Sequence, residues 1–127
     1  MGLLLVGAAM FPTEAQPAIT QPVVAPSAGV TSGYGKYLAS ISGCTVCHGA
    51  DLGGGKAGLG PPPGPNLTAL LPNWTDAQFI TTIRTGVNPT GHQLSDTMPW
   101  KDYNAMFVDD ELKAMHAYLH GLTPVQR

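Results

Sequence analysis

The chain has 127 residues, enough for one domain with a short extension. Six Lys and Arg residues and a formal net charge of −2 are too little positive charge for a basic surface, which excludes charge-driven binding to nucleic acid or to an anionic membrane. The 16 glycines and 12 prolines leave fewer residues for regular elements than the length suggests, so we expect long loops.

The first eleven residues are apolar and look like the core of an export signal. However, no Lys or Arg precedes them, and residues 2–11 make up half of the about 20 residues that a helix needs to cross a bilayer. Thr13-Glu14-Ala15 would serve as a small-x-small cleavage site. Two interpretations stay open, a signal peptide and an uncleaved anchor or docking segment, and we favour the second.

Residues 12–31 contain four prolines, and Glu14 is their one charged residue. Prolines at this density remove amide donors and favour extended geometry, so we expect a semi-rigid tether. The predicted domain organisation is therefore an N-terminal segment 1–11, a tether 12–31 and a folded domain 32–127.

The folded domain opens with a predicted helix over residues 32–42. Ser32 is the expected N-cap and Gly43 the expected stop. The apolar residues recur at i, i+3, i+4 and i+7, as on one face of a helix: Tyr34, Tyr37, Leu38 and Ile41.

This helix leads directly into Cys44-Thr45-Val46-Cys47-His48, the attachment signal for c-type haem. Each thiol of such a motif adds across a haem vinyl group, and the histidine is held under the iron. Both cysteines of the chain lie here, so none is left for a disulfide or a lipid. Half of a zinc site, or a redox dithiol, is the alternative, but each needs partners or a βαβ pattern that the sequence lacks.

After the motif, residues 49–65 hold seven glycines and four prolines and are predicted to form a loop. A helix is expected over 74–85, with a capping box at Thr75 and Gln78 and a C-terminal cap at Gly86.

Residues 87–107 are predicted to be a second loop, and a last helix runs over 109–120 and ends at Gly121. No segment alternates with period two over enough residues to form a sheet. The predicted fold class is therefore all-α, with three main helices and long loops wrapped around one haem.

A haem that only passes electrons needs a ligand opposite His48, and methionine is the usual choice. Met98 lies in an irregular loop, stiffened by Pro99, and is the predicted ligand. Met106 is the weaker alternative, while Met115 lies on the apolar stripe of the last helix and reads as core filler.

The remaining histidines have simpler explanations than metal binding. His92 could replace methionine as the sixth ligand, but a hydrogen-bonding role in its loop is favoured. His116 and His120 are four residues apart and could share a metal, yet we expect them on a solvated helix face.

Together the motifs resemble those of a class I monohaem cytochrome c. The resemblance covers residues 33–122 and includes, besides the haem motif, Gly64-Pro65-Asn66-Leu67, Met98-Pro99-Trp100 and a closing amphipathic helix. The Met-Pro-Trp form, with Gly91-His92 before it, is similar to bacterial domains that serve as subunits of membrane oxidoreductase complexes.

This resemblance implies one haem c attached through Cys44 and Cys47, with His48 and Met98 as axial iron ligands. It also implies that the carbonyl of Pro65 accepts the second imidazole N–H. Two further expectations follow from it: haem-face packing by Leu67 and a helix crossing of Gly35 or Gly33 against Tyr118. From their side chains, Trp100 and Tyr103 would either reach a haem propionate through their polar tips or serve in packing alone, and Trp100 is kept as a candidate haem contact.

The functional expectation is one-electron transfer without catalysis, in a respiratory or photosynthetic complex on the periplasmic side of a membrane. The partners would be redox proteins, with membrane association through the N-terminal segment and with neither nucleic acid nor a small-molecule substrate. Two alternatives are kept: a peroxidase-like or gas-binding haem protein with an open sixth site, and a freely diffusing periplasmic cytochrome c.

Overall fold

The computed structural model describes residues 17–58 and 60–126, and the regular structure in these ranges is helical. A 3₁₀ turn, Leu71–Asn73, links the third helix to the fourth, and an isolated bridge joins Val87 to Gln93. The predicted all-α fold is confirmed. The helices, in chain order, are α1 Ser32–Ile41, α2 Cys44–His48, α3 Leu67–Leu70, α4 Asp76–Thr85, α5 Trp100–Met106 and α6 Asp109–His120.

The cap of α1 lies one residue earlier than expected. The hydroxyl of Thr31 accepts a hydrogen bond from the Tyr34 amide at 3.2 Å, and Thr31 has extended backbone with φ −133°, so Thr31 and not Ser32 is the N-cap. At the other end, Gly43 has φ +80° and turns the chain directly into α2. Ile41 is 62% exposed, so it does not belong to the buried face that the spacing predicts.

The boundaries of α4 follow from the local sequence. The hydroxyl of Thr75 accepts from the Gln78 amide and the Gln78 side chain accepts from the Thr75 amide, so the predicted capping box is formed. Gly86 ends the helix with φ +72°, the left-handed conformation that favours glycine.

α1 and α6 cross at the centre of the fold. Gly35 lies against the backbone of Ala114, so closely that a β-carbon would overlap the Ala114 carbonyl. Gly35 therefore lies at the crossing and faces Ala114, which is one helical turn before the Tyr118 that the family resemblance implied. Gly33 has open space around it. Around this crossing the core includes Leu38, Ala39, Leu112, Met115 and Leu119.

The sequence pattern predicts a loop over 87–107, whereas the structure has α5 inside this range. A helix of seven residues offers too few positions for a periodic pattern, and tertiary contacts stabilise it instead. The Arg84 guanidinium donates to the Asn104 carbonyl at 2.7 Å and to the Phe107 carbonyl at 2.8 Å, while Tyr103 is buried. α4 thereby holds the C-terminal end of α5.

The described part of the tether, residues 17–31, is exposed and contains no helix or strand. The segment 1–11 and the first residues of the tether lie outside the described residues. No helix in the described ranges has the length and apolar character needed to cross a membrane.

Candidate cofactor site

A cavity of about 280 Å³ opens between the haem motif of α2 and the helices α4, α5 and α6. None of its lining residues within the described ranges is Lys, Arg, Asp or Glu, and its walls are mainly apolar. The apolar side chains come from segments far apart in sequence and include Leu67, Leu71, Phe79, Ile83 and Leu119. The fold thus forms an uncharged, concave site of the kind that holds a large apolar cofactor.

His48 is buried at the edge of this cavity with its ring orientation fixed. Its Nδ1 lies 2.8 Å from the Pro65 carbonyl oxygen, which can only accept, so Nδ1 carries the proton. Gly64 approaches the ring so closely that a β-carbon there would lie 2.6 Å from Nδ1. The described residues give the ring no second hydrogen bond, so Nε2 is available for a metal.

The glycine-rich loop is folded onto α2 by backbone hydrogen bonds. The Gly64 amide donates to the Cys47 carbonyl at 2.7 Å, and the Gly54 amide donates to the His48 carbonyl at 2.8 Å. The loop predicted over 49–65 is therefore ordered by the motif that it encloses. This contact places Pro65 beside the imidazole.

Cys44 and Cys47 are one helical turn apart on α2, line the cavity and are not joined by a disulfide. Cys44 is buried, and its burial raises the pKa of the thiol, opposed by the Ser42 hydroxyl at 3.8 Å from the sulfur. Cys47 is partly exposed, so the site reaches the surface at this edge.

Met98 lines the same cavity and is partly buried against the core. The other methionines of the described ranges differ from it: Met106 is 62% exposed, and Met115 is buried in the core although it also contributes to the cavity wall. Met1 and Met10 lie outside the described residues.

Leu67 and Trp100, both predicted to contact haem, differ in their position relative to the cavity. Leu67 lines the cavity. Trp100 is absent from the lining, and its indole lies instead against Gly86, where a β-carbon would overlap the ring. The sequence left two roles open for Trp100, haem contact through its polar tip and packing alone; α5 begins at Trp100, and the indole lies at the end of α4.

Tyr103 lines the cavity and uses its polar tip within the protein. Its hydroxyl donates to the Ser42 carbonyl at 2.7 Å, which ties α5 to the end of α1. Burial of the ring, with smaller contributions from the neighbouring Cys44 and Cys47, raises the pKa of Tyr103 to about 12.

The remaining histidines differ in their surroundings, and the rings of His116 and His120 lie edge to face with their centroids 5.4 Å apart. His92 lines the cavity but is exposed, and its amide is bonded to Asn88. His116, expected on a solvated face, is only 3% exposed: it stacks on Phe79 and places Nδ1 2.6 Å from an Asp76 carboxylate oxygen. The reason is that α6 has α4 on that side as well as α1.

The donor set fits a c-type haem. Two thiols on one helix turn, an imidazole with Nδ1 engaged and a thioether line one uncharged cavity. In the described ranges no three His, Cys, Asp or Glu side chains gather to hold a metal ion by themselves, as the zinc alternative would need. The fold and the site together define a class I cytochrome c, an electron-transfer protein.

Comparison with known proteins gives the family. The profile of the family described as cytochrome c oxidase, cbb3-type, subunit III matches residues 28–119, and the chain belongs to this family. No solved structure matches the chain significantly.

Curated relatives are cytochrome subunits of dehydrogenases. The fructose dehydrogenase cytochrome subunit of Gluconobacter japonicus is 33% identical over 119 residues, which is 84% of this chain and 24% of the relative. The gluconate 2-dehydrogenase cytochrome c subunit of Pantoea cypripedii is 32% identical over 103 residues, 72% of this chain and 23% of the relative. The cytochrome c subunit of the quinone alcohol dehydrogenase of Gluconacetobacter polyoxogenes is 32% identical over 130 residues, 93% of this chain and 27% of the relative. The chain therefore spans about a quarter of the length of these relatives.

Proposed function

We propose that this chain binds one haem c through thioether bonds at Cys44 and Cys47 and passes single electrons through an iron ligated by His48 and Met98. The observation that carries the proposal is the cavity itself. The haem motif and Met98, which is fifty residues further along the chain, line the same uncharged cavity.

We favour electron transfer over haem catalysis because two side chains are available to hold the iron. If both His48 and Met98 ligate it, a small molecule would reach the iron only by displacing the thioether. When bound, the haem supplies the one-electron couple. The chain contributes the ligands, the Pro65 carbonyl that orients the imidazole, and apolar walls that include Leu67.

Electrons would enter and leave at the edge of the site beside Cys47. Val46, between the two cysteines, is 66% exposed, and Ile41 at the end of α1 is exposed as well. With only six Lys and Arg residues in the chain, a partner would meet an apolar patch and not a basic ring at this edge. Brief contacts over a small apolar area suit a redox partner.

We further propose that the partner is a dehydrogenase subunit at the extracytoplasmic side of a membrane. The named cytochrome subunits of fructose, gluconate and alcohol dehydrogenases support this assignment. The exposed residues 17–31 would serve as the tether, with membrane association through the N-terminal segment.

The test of the function is spectroscopic and uses the full chain isolated with its haem. Intact mass measurement should give the protein plus one haem, and Cys44→Ala with Cys47→Ala should give none. The ferric protein should show the weak long-wavelength band of methionine-to-iron ligation, and Met98→Ala should abolish it while Met106→Ala, at an exposed methionine, retains it.

The alternatives predict other results. A haem enzyme or gas-binding protein would lack the band in the wild type and would bind carbon monoxide in the ferrous state without any substitution. Either of these results, or a band unchanged in Met98→Ala, would refute the ligation that we propose.

A further inference from the structure

The segment that carries Met98 has little hydrogen bonding of its own to the rest of the fold. The Met98 amide bonds to the Ser95 carbonyl, the Met98 carbonyl accepts from the Trp100 amide, and the Ser95 and Thr97 hydroxyls bond to each other. These contacts stay within residues 95–100, and beyond them the Pro99 carbonyl accepts from the Tyr103 amide of α5 at 3.1 Å. Something outside the segment must therefore hold it in position against the cavity.

Gly86, at the C-terminal end of α4, contacts the chain both before and after Met98. Its carbonyl oxygen accepts from the Leu94 amide at 2.7 Å and from the Gln93 Nε2 at 3.0 Å. On the other side of Met98, the Trp100 indole lies directly on Gly86. A β-carbon at Gly86 would overlap this indole and would lie 2.8 Å from Gln93 Nε2.

The remaining contacts of Trp100 are weaker. The Lys101 ammonium lies 5.5 Å from the centre of the ring and 3.5 Å from an Asp96 carboxylate oxygen, and both charged side chains are largely exposed. Exposed pairs of this kind contribute little. Gly86 is thus the firm support, because α4 is itself fixed by the packing of Phe79 and Ile83 in the core.

We propose that Gln93 and Trp100, bound to Gly86, are positioning residues that hold the Met98 thioether in place for the iron. We name this set, Gly86, Gln93 and Trp100, the Gly86 anchor. The inference rests on the proposed function, since it presupposes that Met98 is the axial ligand. It assigns to Trp100 a role away from the haem: it limits how often the thioether leaves its position.

The test measures how fast imidazole binds to the ferric, haem-loaded protein, because imidazole must displace Met98. Gln93→Leu removes the side-chain hydrogen bond at an exposed position, and Trp100→Leu removes the indole. Each substitution should raise the binding rate by about tenfold, the size expected for one lost contact. Trp100→Phe, which keeps a ring, should recover part of the wild-type rate.

Thr75→Ala is the matched control. It removes the cap at the opposite end of α4 and lowers overall stability, but it touches none of the anchor residues. Its imidazole binding rate should equal that of the wild type, whereas its thermal unfolding midpoint should fall. If Thr75→Ala accelerates binding as much as Trp100→Leu does, the effect is general destabilisation and the anchor is refuted.

Failure of the anchor and failure of the ligation are distinguishable. If Met98→Ala binds imidazole fast while Gln93→Leu and Trp100→Leu bind it at the wild-type rate, Met98 is the ligand but the anchor proposal is wrong. If Met98→Ala itself binds imidazole no faster than the wild type, the proposed ligation is wrong, and the anchor falls with it.

Discussion

At the scale of single residues, the site depends on how tightly the chain is packed around His48. Gly64 lies against the imidazole; its amide donates to the Cys47 carbonyl of α2, and its carbonyl accepts from the Gly55 amide of the surrounding loop. This close approach leaves no room for a side chain. It explains why a glycine directly precedes Pro65, whose carbonyl bonds to Nδ1.

Gly64→Ala is therefore expected to destabilise the haem-loaded protein by about 1–3 kcal/mol, the usual penalty of overpacking. The new β-carbon would lie 2.6 Å from Nδ1 and would displace the ring from the Pro65 carbonyl. Urea unfolding measures the loss. Gly58→Ala is the control, because Gly58 has open space around it and lies in the same loop; an equal loss in both variants would contradict the packing argument.

Tyr103 connects burial at one residue to pH dependence. Its pKa is raised to about 12 in the folded state, so the folded chain keeps a proton that the unfolded chain begins to lose near pH 10. The contribution of Tyr103 to the stability of the fold is therefore fully present below about pH 10 and is lost as the pH rises towards 12.

Tyr103→Phe should lose about 1 kcal/mol at neutral pH, because the Ser42 carbonyl no longer receives its hydrogen bond. The difference from the wild type should shrink between about pH 10 and 12, where wild-type Tyr103 ionises. Denaturant unfolding at several pH values measures both effects. A difference that stays constant up to pH 12 would show that Tyr103 titrates alike in both states.

At the scale of elements, the contact between α1 and α6 is the packing on which the rest is built. Helices approach this closely only where one of them has a small residue, and Gly35 fills that position against Ala114. Leu119 and Met115, which line the cavity, are on α6. A shift of the crossing would thus be transmitted to the walls of the site.

We expect Gly35→Ala and Gly33→Ala to have opposite effects on stability, although the two positions are only two residues apart on α1. At Gly35 the added methyl group overlaps the Ala114 carbonyl, so a loss of about 1–3 kcal/mol in the free energy of unfolding is expected. At Gly33 the space is open and alanine is the better helix former, so a gain of up to about 1 kcal/mol is expected. Thermal or urea unfolding distinguishes them, and a stable Gly35→Ala variant would place the crossing elsewhere.

At the scale of the whole molecule, the cofactor site and the core are one structure. The buried residues Met115 and Leu119 belong to the core and also line the cavity. Without haem, the apolar walls of this site would lose their packing partner and face water, which lowers the stability of the fold. A domain of this size has a total stability of about 5–15 kcal/mol.

The chain with both Cys44→Ala and Cys47→Ala, which cannot attach haem, is therefore expected to lose most of its helical signal in far-UV circular dichroism at 25 °C. Met98→Ala keeps the attachment residues and should remain folded. The comparison tests two views: in the first, haem is a part of the core that the chain needs in order to fold; in the second, haem is a ligand added to a chain that folds without it. Full helicity in the double-cysteine variant would contradict the first view.

Local signals explain what could be predicted. Residues 44–48 are consecutive, so their chemistry can be recognised without knowing the fold. The capping box at Thr75 likewise depends on residues within one helical turn. The start of α6 at Asp109 likewise follows from local charge, since three acidic residues open it. α5 was not predicted because its stability comes from hydrogen bonds between residues far apart in sequence, from Arg84 to the Asn104 carbonyl and from Tyr103 to the Ser42 carbonyl.

The sequence by itself therefore determined an all-α domain and the haem attachment motif, because both depend on spacing between residues that are close together in the chain. Only the tertiary structure decided that Met98 shares the cavity of His48, that Trp100 turns to Gly86 and that His116 is buried. The physical reason is that a cavity wall is made by residues from distant segments, whose side chains are directed by the packing of α1, α4 and α6 and not by their neighbours in sequence.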